Sequence, residues 1–196
     1  MLKIRTLALG LYQTNCYLLF RDGQDECIVI DPGYEAQTIL QEAARQNKRI
    51  CAILLTHGHF DHVGAVKEIA QETSCAVYLC AEDTAMPEQM TSGKLFYTHA
   101  ISDGDTLCLA GLCVHVMHTP GHTPGSVCFL IENALFSGDT LFALSCGRTD
   151  LPGGSWETLT RSLARLRNLC APYDVYPGHG ESTTLDEEKQ NNPYLR

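Results

Sequence analysis

Six consecutive residues, His57-Gly58-His59-Phe60-Asp61-His62, bring three imidazoles and one carboxylate together. Neutral imidazole nitrogen and carboxylate oxygen are donors that suit divalent transition metals. One histidine alone is ordinarily a core or surface residue, so it is the concentration that carries the inference. Gly58 and Phe60 read as spacers that let alternate side chains aim at different points. A single loop cannot surround an ion, because a tetrahedral shell needs donors arriving from several directions.

Further donors stand at three places downstream. His122 lies in Thr119-Pro120-Gly121-His122-Thr123-Pro124-Gly125, Asp139 in Phe136-Ser137-Gly138-Asp139-Thr140, and His179 in Tyr176-Pro177-Gly178-His179-Gly180. Each follows a glycine at the end of an apolar run, which predicts a sharp turn that points the next side chain outward.

These donors need elements to hold them. Strands are predicted over 2–9, 15–20 and 26–31, rich in Leu, Ile, Val, Cys and Tyr and separated by Gly10 and Arg21-Asp22-Gly23. Ile39, Leu40, Ala43 and Ala44 fall at helical spacing within 34–47, and residues 50–56 form the short apolar run of a buried strand. The His-rich motif therefore sits on the loop leaving that strand, with a helix starting near Gly64 behind it. A second series of strands is expected over 76–80, 105–109, 112–118, 126–131 and 133–138. Leu159, Leu163, Leu166 and Leu169 mark an amphipathic helix over 155–170 with Ser155 as its N-cap. A strand over 173–176 and a polar closing segment follow. Strands then helices in both halves predict an α/β protein with two sheets face to face and helices outside them, a four-layer αββα sandwich.

With 196 residues, 44% of them apolar and 19% charged, the chain reads as one globular domain over 1–196. A net charge of −9 opposes a nucleic-acid partner. The first twenty residues are broken by Lys3, Arg5, Gln13 and Asn15, so they offer neither a signal-peptide core nor a membrane span, and a cytoplasmic location is expected. Ten cysteines sit singly in apolar runs with no Cys-x-x-Cys pair, which reads as small hydrophobes in a reducing compartment. His99, His115 and His118 fall outside the donor pattern, the last two on an alternating strand.

Taken together, HGHFDH, TPGHTPG, FSGDT and PGHG resemble the signature series of the metallo-β-lactamase superfamily, and the likeness runs from Asn15-Cys16-Tyr17 and Ile30-Asp31-Pro32-Gly33 almost to the end. FSGDTLF and Cys146-Gly147-Arg148 are most similar to the glyoxalase II (hydroxyacylglutathione hydrolase) branch. The resemblance implies that His57, His59 and His122 hold one metal, that Asp61, His62 and His179 hold a second, and that Asp139 bridges them. It implies two divalent ions, zinc foremost, with iron or manganese as alternatives, and a metal-bridging hydroxide as nucleophile. Asp61 would also accept a proton, and Asp31 would lie beneath the ligand loop. Arg148 would meet a substrate carboxylate, with a salt bridge to Asp150 as the competing reading, and Cys146 would line the pocket.

The implied activity is hydrolysis of a thioester such as S-D-lactoylglutathione, with a small-molecule substrate, no nucleic acid and no membrane as partners and the oligomeric state left open. Sixteen residues follow Gly180, so the likeness is to a short form without the C-terminal helical domain. Alternatives on the same scaffold are an iron-dependent persulfide dioxygenase and a lactonase or β-lactamase.

Overall fold

Alternation along the strands decides the layering. In Thr14–Arg21 (β2), Cys16, Leu18 and Phe20 enter one buried cluster while Tyr17 and Leu19 enter another. Glu26–Ile30 (β3) divides the same way, Cys27 and Val29 against Ile28 and Ile30. A strand buried on both faces belongs to a layer covered on both sides. The structure, a computed structural model, describes residues 1–195.

The first half forms a six-stranded sheet in sequential order: Leu2–Leu9 (β1), β2, β3, Arg49–Leu54 (β4), Ala76–Cys80 (β5) and His99–Ile101 (β6). The first three strands pair antiparallel; the rest pair parallel, because Ala36–Arg45 (α1) crosses from β3 to β4 and helical segments also separate β4 from β5. Those segments are Phe60–Val63 (α2) and Val66–Thr73 (α3), and a further short helix, Glu88–Thr91 (α4), precedes β6. Ile39 of α1 and Ile69 of α3 pack on Val29, Ile53 and Val77 as one core cluster.

The second half forms another six-stranded sheet from Thr106–Leu109 (β7), Leu112–His118 (β8), Val127–Ile131 (β9), Ala134–Gly138 (β10), Asp174–Pro177 (β13) and Thr183–Thr184 (β14). Between β10 and β13 the chain makes a small hairpin, Leu141–Phe142 (β11) with Ser145–Cys146 (β12), and the helix Trp156–Arg167 (α5). Val127 and Phe129 face the first sheet, where Phe129 and Phe136 share a cluster with Leu19, Ile28 and Leu54. Leu130 and Leu135 face the other way, onto Leu159, Leu163 and Leu166 of α5. Three apolar interfaces between helices, sheet, sheet and helix make the expected αββα sandwich.

The structure corrects one expectation and adds two elements that the sequence did not show. The motif helix does not wait for Gly64: His59 is extended, and Phe60–Val63 already forms a helical turn, so Asp61 and His62 leave a helix instead of an extended spacer pattern. The closing segment is polar yet contains Leu185–Asn191 (α6), capped by Thr184, whose hydroxyl accepts from the Glu187 N–H at 3.2 Å. Its single buried leucine, Leu185, left too little periodicity to read. The three-residue β6 was likewise too short to show. Ser155 does cap α5, its Oγ accepting from Thr158 N–H. Among the described residues no helix is long and apolar enough to cross a membrane, and all ten cysteines are free, five of them buried.

Candidate metal centre

Loops from both sheets meet at one end of the sandwich. β4 delivers His57 and His59, and α2 delivers Asp61 and His62. β8 leads into the turn with His122, β10 ends at Asp139, and β13 ends beside His179. Backbone bonds lock the loops across the sheets: Val127 N–H donates to Thr56 O (2.8 Å) and Asn15 N–H to Gly178 O (2.8 Å). The helix α5 braces the His122 turn, through Ser155 N–H to Gly121 O (2.8 Å) and Ser162 Oγ–H to Pro120 O (2.7 Å).

The seven donors named from sequence are brought together. His57, His59 and His122 form one set and Asp61, His62 and His179 another, the ligand atoms within each lying within 4.8 Å of one another. Asp139 stands between the sets, with Oδ1 3.5 Å from His62 Nε2 and Oδ2 3.5 Å from His122 Nε2 and 3.6 Å from His179 Nε2. Glycine at 121 and 138 has a positive φ, as expected of a sharp turn, but Gly178 does not. It is needed for space: a Cβ there would lie 2.2 Å from Asp139 Oδ1 and 2.8 Å from His62 Cε1.

Hydrogen bonds fix which nitrogen faces the centre. His62 Nδ1–H donates to Asp31 Oδ2 (2.9 Å), His122 Nδ1–H to Arg148 O (2.7 Å) and His179 Nδ1–H to Tyr12 O (3.1 Å). Each therefore turns an Nε2 lone pair inward, the orientation a metal-ligating imidazole requires. Asp31 also accepts from Thr56 N–H (2.8 Å) and Thr56 Oγ1–H (2.5 Å), so it lies beneath the ligand loop as anticipated.

Charge and burial favour a cation here. The buried Nε2 atoms of His57 and His59 and Oδ1 of Asp139 have no hydrogen-bond partner among the described residues, an arrangement that is costly unless something else satisfies them. Burial, reinforced by the neighbouring imidazoles His62 and His59, pushes His57 well below its ordinary value, and burial with His122 brings His59 down to about 4. Both are neutral at neutral pH, as ligands must be. Burial opposes protonation of His62 too, but Asp139 and Asp31 outweigh it and push it up to about 9. Burial would raise the Asp61 carboxyl, yet the His179 hydrogen bond and the His62 charge hold it well below the usual carboxylate range. These donors fit divalent metal in both sets.

Two supports were not legible in the sequence. Asp83, fully buried, accepts from Gly58 N–H (2.7 Å), Thr123 Oγ1–H (3.1 Å) and Gly125 N–H (2.5 Å), tying the His57/His59 loop to the His122 turn. On the other side, Thr14 Oγ1–H donates to Asp61 Oδ2 (3.2 Å), and Asn15 Nδ2–H reaches the Pro177 and Gly180 carbonyls (3.0 and 2.9 Å). An acid in Ala81–Ala85 and polar residues 47 to 165 positions from their partners carry no spacing signal. His118, with Cys80 and Glu82 nearby, is occupied by the Pro124 carbonyl (2.9 Å) and lies outside the two sets.

A cavity of about 510 Å³ opens on the centre, and Cys146 and Arg148 line it. The Arg148 guanidinium forks onto Asp150, Nε to Oδ1 and Nη2 to Oδ2 both at 2.7 Å, so the competing salt bridge is present.

Residues 9–179 match the family model described as metallo-beta-lactamase superfamily. The chain is 34% identical to hydroxyacylglutathione hydrolase GloC of Haemophilus influenzae, covering 99% of this chain and 98% of that protein. Among solved structures it is similar to the BLEG-1 B3 metallo-beta-lactamase, at TM-score 0.88 and 37% identity over 100% of this chain and 99% of the other. It is also similar to TTHA1623 in a di-iron-bound form, at TM-score 0.87 and 36% identity over 97% of this chain and all of the other.

Proposed function

This chain belongs to the metallo-β-lactamase superfamily, whose members are metal-dependent hydrolases, and from that premise we propose that it hydrolyses acyl thioesters at a two-metal centre, S-D-lactoylglutathione being the reference substrate. The observation that carries the reading is Asp139 standing between two complete sets of donors at the floor of a cavity. Similarity to GloC over nearly its whole length supports the thioester as the bond cleaved. His57, His59 and His122 would hold one ion, Asp61, His62 and His179 the other, with Asp139 shared. Zinc is the proposed occupant, and the likeness to a di-iron structure keeps iron as the alternative.

When bound, two divalent cations make hydroxide available at neutral pH and polarise the thioester carbonyl. The protein's part is to hold and orient. Asp61, kept ionised by His179 and His62, accepts a hydrogen bond from the attacking water and so aims it; its low proton affinity makes it an orienting group before it is a base. Asp31, Arg148 O and Tyr12 O keep three imidazoles from turning. No side-chain nucleophile is needed, and the one thiol lining the cavity is a poor one, since burial pushes Cys146 up to about 11.

The test is loss of thioester absorbance with S-D-lactoylglutathione, using protein of measured metal content and a metal-stripped control. Metal-dependent turnover is expected, whereas inert metal-loaded protein would overturn the reading. Likeness to BLEG-1 favours a second reading, β-lactam hydrolysis in the same cavity, and a β-lactam run beside the thioester separates the two.

A further inference from the structure

The cavity walls carry a chemical preference. Beyond the donor residues, its lining is dominated by Tyr12, Phe60, Met90, Phe142 and Leu151. Tyr12 and Phe60 meet edge to face with ring centroids 5.3 Å apart, and Phe142 approaches His179 at 6.3 Å. Two hairpin tips supply much of this wall. The β1–β2 tip carries Leu11, 89% exposed, next to Tyr12, 53% exposed. The β11–β12 tip carries Leu144, 56% exposed, between the lining residues Phe142 and Ser145.

Leu144 holds a φ of +55°, a left-handed conformation that suits glycine or asparagine and strains a bulky side chain. Its N–H donates to Glu188 Oε2 at 2.8 Å, which holds the tip of the hairpin against the last helix.

Charge points the same way. Arg148 is the only lysine or arginine among the described residues that line the cavity, and its guanidinium is paired with Asp150. The chain as a whole carries −9. A thiol carrying two carboxylates, such as glutathione, therefore meets no unpaired lysine or arginine on these walls and a net negative chain outside them.

We propose that the site selects its thioester through an uncharged apolar group, a hydrocarbon chain or ring seated on Tyr12, Phe60, Met90, Phe142 and Leu151, and not through the charged ends of a glutathione-type thiol. This rests on the thioester reading and narrows it to apolar thioesters. The apolar group can belong to the acyl or to the thiol side, and the chemistry of recognition is the same.

The experiment uses metal-loaded protein and two series. One lengthens the acyl chain from acetyl to hexanoyl on N-acetylcysteamine; the other keeps acetyl and lengthens an alkyl thiol. Each buried methylene is worth roughly a three- to fourfold gain, so kcat/KM should rise at least about tenfold across one series, which also identifies the side. The hexanoyl or hexyl ester should exceed S-D-lactoylglutathione, and Phe142→Ala and Met90→Ser should flatten the rise.

Calorimetry with hexanoate against acetate gives a readout that needs no turnover, with hexanoate expected to bind about tenfold tighter or more. Flat series, or S-D-lactoylglutathione as the best substrate, would overturn the apolar seat and leave thioester hydrolysis standing. If no thioester is cleaved, the thioester reading falls instead, and calorimetry decides the seat: equal affinities for the two acids remove it, and tighter hexanoate retains it.

Discussion

At the scale of single residues, the two donor sets differ in their readiness for metal. Burial and neighbouring imidazoles push His57 well below its ordinary value and bring His59 down to about 4, while His62 is raised to about 9 and His179 is raised as well, burial there being outweighed by its bond to Asp61 and by Asp139. With His62 raised to about 9, metal-free protein carries a proton on that imidazole at pH 7, which an incoming cation must displace. Affinity at that set therefore falls as pH falls, by about tenfold per unit for each proton displaced. Metal content after dialysis at successively lower pH should drop from two ions per chain to one well before the last is lost near pH 4. Simultaneous loss of both would contradict this. Asp31 belongs to the same scale, since it alone accepts from His62 Nδ1 and also holds Thr56. Asp31→Ala should weaken metal binding at the second set by about 10- to 100-fold, measured by competition with a chelating dye, and disturb the first set less.

At the scale of elements, the centre depends on loops being clamped to one another. Asp83 does this for the His57/His59 loop and the His122 turn, its fully buried carboxylate accepting three hydrogen bonds. Asp83→Ala leaves two backbone N–H groups without their acceptor and should cost roughly 3 kcal/mol of stability, read by denaturant midpoint. It should also weaken metal binding at the first set more than at the second, the reverse of Asp31→Ala. If both variants lose metal from the same set, the two clamps are not separate. Local sequence could announce the donors, because His-x-His-x-Asp-His and three Gly-His or Gly-Asp turns are contiguous signals. It could not announce the clamps. Asp83 lies 25 residues from Gly58 and 40 from Thr123, and Asn15 lies 162 from Pro177; only the folded sandwich makes them neighbours.

At the scale of the whole molecule, layering was legible for a physical reason. Strands buried on both faces are near-continuous apolar runs, and β2, β3, β4, β9 and β10 all show it; the regular leucines of α5 show a one-sided helix. Short or edge pieces such as β6, α4, α6 and the β11–β12 hairpin were not legible, since tertiary contacts stabilise them more than any period of their own. That hairpin matters most, because it walls the cavity and so bears on which thioester enters. The proposed hydrolysis belongs to two metal ions held where loops of both sheets meet at one end of the sandwich. It is tested most directly by titrating metal back into stripped protein while following thioester hydrolysis. Negligible activity is expected without metal, with a rise that saturates near two ions per chain. Full activity in stripped protein, or saturation with protein that stays inert, would contradict it.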